Sequence, residues 1–133
     1  MITQNIVKSF VAASTITEFD LVKFDANGKI AQCGAADSTS SLIIGIAQRG
    51  CAAGEATDVL VYGVSRAKLG TIAAFETADA SLLTAIASGK LDTATQNDFV
   101  VARVLPNINS TAAADNDQAE VLFFGPITIK SNA

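Results

Sequence analysis

The chain has 133 residues, 50% of them apolar and 17% charged, with a net charge of −4 and a pI near 4.6. That is one domain's worth of chain, able to bury roughly two-thirds of the surface its unfolded form would expose, and too apolar to be disordered by composition. An acidic balance without a basic run lacks the electrostatic footprint that phosphate binding requires, so direct nucleic-acid binding is not expected.

The opening residues, MITQNIVKSF, show no positive start leading into an apolar stretch. No window approaches the roughly 18 consecutive apolar residues of a membrane helix, so neither secretion nor membrane insertion is expected. Residues 6–12 (IVKSFVA) and 16–24 (ITEFDLVKF) are rich in β-branched and aromatic side chains and partly alternate, as half-buried strands do. Residues 1–12 read as an N-terminal arm. The run Phe24-Asp25-Ala26-Asn27-Gly28-Lys29-Ile30 predicts a β-hairpin, because Asn27 and Gly28 adopt positive φ at little cost. A two-residue turn would set Phe24 against Ala31. A three-residue turn with a glycine bulge sets it against Ile30, and pairing two large apolar side chains favours the second register.

Residues 34–41 (GAADSTSS) form a polar loop, and Leu42 to Ala47 (LIIGIA) reads as a buried strand with Gly45 at a close approach. Turn material over 49–56 precedes a strand over 57–62, and another runs from Val64 through Leu69. Residues 78–88 (ADASLLTAIAS) are alanine-rich and space Leu82, Leu83 and Ile86 along one helical stripe, with Gly89 as a C-terminal cap and Lys90 at the negative end. One short α-helix is predicted there. Residues 99–105 (FVVARVL) read as a strand ending at Pro106. Residues 107–118 (NINSTAAADNDQ) read as a mobile loop, and 120–124 and 127–130 as strands divided by Gly125-Pro126, which belongs at an edge or bend. The expected fold is therefore mainly β, a compact single-domain β-barrel or β-sandwich with one short helix near 78–88.

Chemistry is hard to find in this chain. It has no histidine, which removes the Ser-His-Asp and Cys-His arrangements within one subunit. The carboxylate pairs Asp115/Asp117 and Glu18/Asp20 lack flanking residues that would hold them in a buried site, and read as solvated surface. Ser65-Arg66 and Arg103 read likewise. The glycines at 45, 50, 54 and 63 fit no phosphate-loop spacing, and Asp115-Asn116-Asp117 lacks the glycine and the distant glutamate of a calcium loop. Cys33 and Cys51 are expected to be free thiols. No enzyme activity, cofactor or metal is expected.

The order of Phe24-Asp25-Ala26-Asn27-Gly28-Lys29-Ile30, then Ile43-Ile44-Gly45-Ile46-Ala47, then Ala52-Ala53-Gly54-Glu55 with the alternating run through Tyr62 and Gly63, resembles the capsid decoration (cement) proteins of tailed phages. The resemblance covers roughly residues 16 to 69. It implies a β-barrel or sandwich that assembles as a homotrimer on the capsid exterior of a virion built in the host cytoplasm. There it would clamp neighbouring subunits of the major capsid protein. It brings no catalytic or cofactor residues. A tail or fibre subunit of a phage particle is the second reading, and a trimeric ligand-binding barrel or enzyme the third.

Two terminal segments carry apolar side chains on both faces of a short strand: Ile6, Val7, Phe10 and Val11 in the first, Val121, Leu122, Phe123 and Phe124 in the last. A strand of a small barrel normally has one face to the core and one to water, so these eight residues are the expected self-association contacts.

Overall fold

The computed structural model of the protein describes residues 5–72, 74, 82–105 and 112–129, the last three by backbone alone. The described strands are β1 (Ile6–Val11), β2 (Leu21–Phe24), β3 (Ile30–Gln32), β4 (Ile43–Ala47), β5 (Ala56–Lys68), β6 (Leu82–Ala85), β7 (Leu91–Thr93), β8 (Phe99–Val104) and β9 (Gln118–Ile129), with short 3-10 turns at Ala35–Thr39 and Ala87–Gly89. They form one antiparallel sheet in the order β3-β2-β4-β5-β9-β8-β6-β7, with β1 also paired to β5. The expected mainly β fold is found.

Short contacts curl both halves of this sheet. Ala13 donates its N–H to the Ile30 carbonyl at 2.7 Å, which draws β3 against the end of β1. Gly70 donates to the Leu91 carbonyl at 2.8 Å, which draws β7 against the end of β5. Two apolar clusters fill the interior. One gathers Ala12, Ile16, Val22, Ile30, Ala47 and Val59. The larger one runs from Leu21 and Ile46 through Leu60 and Leu83 to Val101, Val121 and Phe123. Val59 and Leu60, neighbours on β5, point into different clusters, as strand alternation requires.

The β2–β3 hairpin takes the predicted register, with Phe24 opposite Ile30. Its turn is closed by Asp25 N–H donating to the Lys29 carbonyl at 2.8 Å. Asp25 Oδ1 accepts from the N–H groups of Asn27 and Lys29, and Gly28 supplies φ +76°. Gly45 sits where β4 crosses β5 so closely that a Cβ there would collide with the Leu60 carbonyl oxygen. The expected close approach is thus a backbone-on-backbone contact.

Four expectations are corrected. Leu82–Ala85 is a strand and not part of a helix. Leu83 pairs with both Thr93 and Ala102, and a three-turn helix is too marginal alone to resist two strands that need a partner between them. Residues 78–81 of the expected helix lie outside the described residues. Gly89 still serves as a positive-φ residue, at +70°, but in the β6–β7 turn, where Ile86 N–H donates to the Lys90 carbonyl. The strands expected over 57–62 and from Val64 onward are one thirteen-residue β5 that passes through Gly63. The strand expected over 16–24 begins only at Leu21, because Thr17 to Asp20 fold into a turn. The last two segments are likewise one strand, β9, and Gly125-Pro126 falls where its pairing with β8 jumps register. Of the loop expected over 107–118, residues 107–111 lie outside the described residues, and Ala113 is bonded in both directions to Ile72 at 2.8 Å.

Gly45→Ala is expected to destabilise the protein by about 3 kcal/mol, the upper end of the roughly 1–3 kcal/mol cost of forced overpacking, because the clash is with backbone. Gly54→Ala, at φ +87° with open space around it, should cost about 1 kcal/mol from conformation alone. Chemical denaturation of the two variants measures both, and equal losses would contradict the close-approach reading.

Candidate functional site

Among the described residues the best-organised polar group is Asp20, which is fully buried, contrary to the solvated position expected of it. The turn that precedes β2 explains this. Asp20 N–H donates to the Thr17 carbonyl at 3.1 Å and Thr17 N–H donates back to Asp20 Oδ2 at 2.8 Å, with Phe19 at φ +65° between them. Gln32 Nε2 from β3 donates to the same oxygen at 3.0 Å. The Lys68 ammonium, at the end of β5, pairs with Oδ1 and donates to Thr17 Oγ1 at 2.8 Å. Gly89 lies against this carboxylate, which any Cβ at that position would strike. Oδ2 thus holds both hydrogen bonds and Oδ1 meets the Lys68 ammonium alone, away from solvent. Asp20 ties four chain segments together.

Lys23 and Asp37 form a second half-buried pair at 2.8 Å, and Asp37 also accepts from Gly34 N–H at 2.7 Å. Cys33 lies beside them. Burial pushes its thiol up to about 12, with the Asp37 carboxylate adding to the effect. Cys51, which is only partly buried, is raised by desolvation and by Glu55. Neither cysteine is in a disulfide. No described cluster of three or more His, Cys, Asp or Glu side chains is placed to hold a metal. Asp115 pairs with Lys90 at 2.9 Å, and Asp117 accepts from Ala114 N–H in a turn.

What remains is a surface. β1 is the least buried strand, with Ile6 53%, Val7 47% and Val11 41% exposed, and Tyr62, opposite Ile6 on β5, 46% exposed. Phe10 turns inward, edge-on to Phe24 with ring centroids 5.5 Å apart. The other half of the expected contact set divides differently. Val121 and Phe123 are wholly enclosed by the subunit's own core, so they are not available as contacts while the chain is folded. Leu122 and Phe124, on the alternate face, are half-buried. The two-sided apolar pattern of 121–124 arises because β9 is an interior strand between β5 and β8, whereas β1 is paired on one edge. Tyr62 and Leu42, also exposed, were not in the expected set. The alternation of residues 57–62 places Tyr62 on a face opposite Val61, but only the pairing with β1 reveals that its end of the strand is open.

No family model matches the sequence, and no curated protein matches it. The fold does have a counterpart. The crystal structure of the head fiber gp8.5 N base of bacteriophage phi29 superimposes with a TM-score of 0.64, covering 94% of this chain and 99% of that one at 12% identity.

Two measurements test the polar assignments. Lys68→Met leaves the Asp20 carboxylate buried without its cation and should cost about 3–5 kcal/mol, while adding Asp20→Asn to it should recover much of that loss. A Lys68→Met variant as stable as the parent would refute the buried pair. In native protein at pH 8, where both thiols are largely protonated, Cys51 should react slowly with a thiol reagent and Cys33 only after denaturant is added. Equal native reactivity of the two would contradict the burial of Cys33.

Proposed function

We propose that this chain is a non-enzymatic structural protein of a tailed-phage particle, seated on the outside of the head and bound to the major capsid protein. The observation that carries the reading is the near full-length likeness to the N base of a phage head fiber. A fold shared over 94% of one chain and 99% of the other is what two proteins with the same mechanical task would have in common. Fold alone does not dictate function, and three features of this molecule support the choice. The chain has no histidine, its most deeply buried carboxylate, Asp20, is held by two donors on one oxygen and by Lys68 on the other, and most of the exposed large apolar residues among the described ones lie on one edge ribbon. Binding through repeated weak contacts on a symmetric shell asks for such surfaces and for no chemistry.

Within this reading, the decoration role has the chain clamp neighbouring capsid subunits, and the sequence resemblance to cement proteins speaks for it. The structural neighbour, the N base of a head fiber, speaks for a second version, in which the domain is the foot of a projection. Adding purified protein to heads of the parent phage that lack it, and imaging them, distinguishes the two. Decoration predicts saturable density at symmetry-related positions on the head and greater resistance of those heads to heat. A foot predicts density without added resistance. Absence of binding to heads, or binding to tails alone, would overturn the proposal.

A further inference from the structure

The exposed large apolar residues among the described part of the chain are Ile6, Val7, Val11, Leu42 and Tyr62, and all but Leu42 lie on β1 or opposite it on β5. The backbone shows which edge of β1 is open. Ala12 donates its N–H to the Glu55 carbonyl and accepts from Gly54 N–H, both at 2.8 Å. The even-numbered residues of β1 therefore direct their amide groups at β5, and alternation directs those of Val7, Ser9 and Val11 the other way. Ala13, next in that series, meets Ile30. Before it, no described strand pairs with this edge. The outer strands at the two ends of the sheet, β3 and β7, are three residues each and are bridged to Ala12 and Leu69. β1 thus offers an open edge with exposed apolar side chains, and such an edge is a template for another strand.

We propose that the occupant is β1 of a second copy of this chain, paired antiparallel about a two-fold axis with Val7 facing Val7. Side chains facing each other across a ladder must share a face of the sheet, so the axis of such a pair passes through a residue position and not between two. The charge on the strand then selects the residue. An axis through Lys8 would set two ammonium groups against each other in a closely spaced pair, about 4.5 Å between Cα atoms, and β1 contains no acid to offset them. An axis through Ser9 would require Val11 to lie opposite Val7, yet Val11 adjoins the Ala12–Ala13 segment that β3 already occupies. An axis through Val7 uses the free part of the edge. It joins the two Val7 side chains on one face, lays Ile6 along the aliphatic stem of Lys8 on the other, and sets Asn5 opposite Ser9. Two of the most exposed apolar residues are then covered with no like charges in contact. The proposal stands independently of the capsid reading, since it rests on the edge alone.

The test uses charge reversal at the axis. Purified parent protein should be a concentration-dependent dimer by sedimentation or light scattering. Val7→Lys and Val7→Glu should each be folded monomers with the melting temperature that the parent shows when diluted until it is monomeric, because the side chain is half exposed and its own amide points away from β5. Ser9→Pro, which removes an outward N–H, should be monomeric too. Mixing the Lys and Glu variants should restore a dimer made of one of each, as expected where residue 7 of one copy lies beside residue 7 of the other. A parent protein that stays monomeric at all concentrations would overturn the proposal. So would a trimer of the kind the cement resemblance implies, single variants that dimerise like the parent, or a mixture that does not recover.

Discussion

One strand, β5, hydrogen-bonds to β1 and β4 through its first half and to β9 through its second, and every other described strand reaches the core through these neighbours. A strand of thirteen residues is unusual, and it holds together two curls of sheet that would otherwise be separate. The halves are joined by side chains as well as by the ladder. Gln48, just beyond β4, donates to Ser65 Oγ at 3.0 Å, and Lys68 reaches from the end of β5 to Asp20 in the turn before β2. The larger apolar cluster spans the join, with Leu21 and Ile46 from one half packed among residues such as Leu83 and Val121 from the other. Sharing a strand in this way lets both halves contribute to the larger cluster, which neither would fill alone.

The same arrangement makes β1 different from the rest. It pairs with β5 alone among the described strands, and only the residues just after it, Ala12 and Ala13, are met from the other side, by Ile30. The exposed valines and isoleucine of this strand are a direct result of that position. A protein that works by adhering to a regular surface, or to its own copies, gains from such an edge. A freely diffusing monomer would be expected to blunt it with more than the single lysine at position 8.

Much of this was legible in local sequence. Asn27-Gly28 between two strand-like runs specified the hairpin, and the preference for Phe24 against Ile30 specified its register, because turn chemistry acts over a few residues. Gly45 signalled a close crossing for the same reason. What was not legible depended on distant partners. Residues 82–85 look helical by propensity and spacing, and become a strand because β7 and β8 lie on either side of them. Asp20 looks like any surface acid until Lys68, 48 positions away, is brought beside it. Val121 and Phe123 have the same two-sided pattern as Ile6 and Val7, and only the order of strands in the sheet separates an interior strand from an edge. Gly89 reads as a helix stop and does adopt positive φ, but it lies in the turn between β6 and β7.

Native-state amide hydrogen exchange tests the shared-strand account most directly. If β5 binds the two curls into one cooperative unit, the slowest amides of β4 and of β8 should exchange with the same limiting free energy, and the interior of β5 should be among the last to open. Two distinct limiting values, with β2–β4 opening while β8 and β9 remain protected, would show that the halves fold separately and would contradict it.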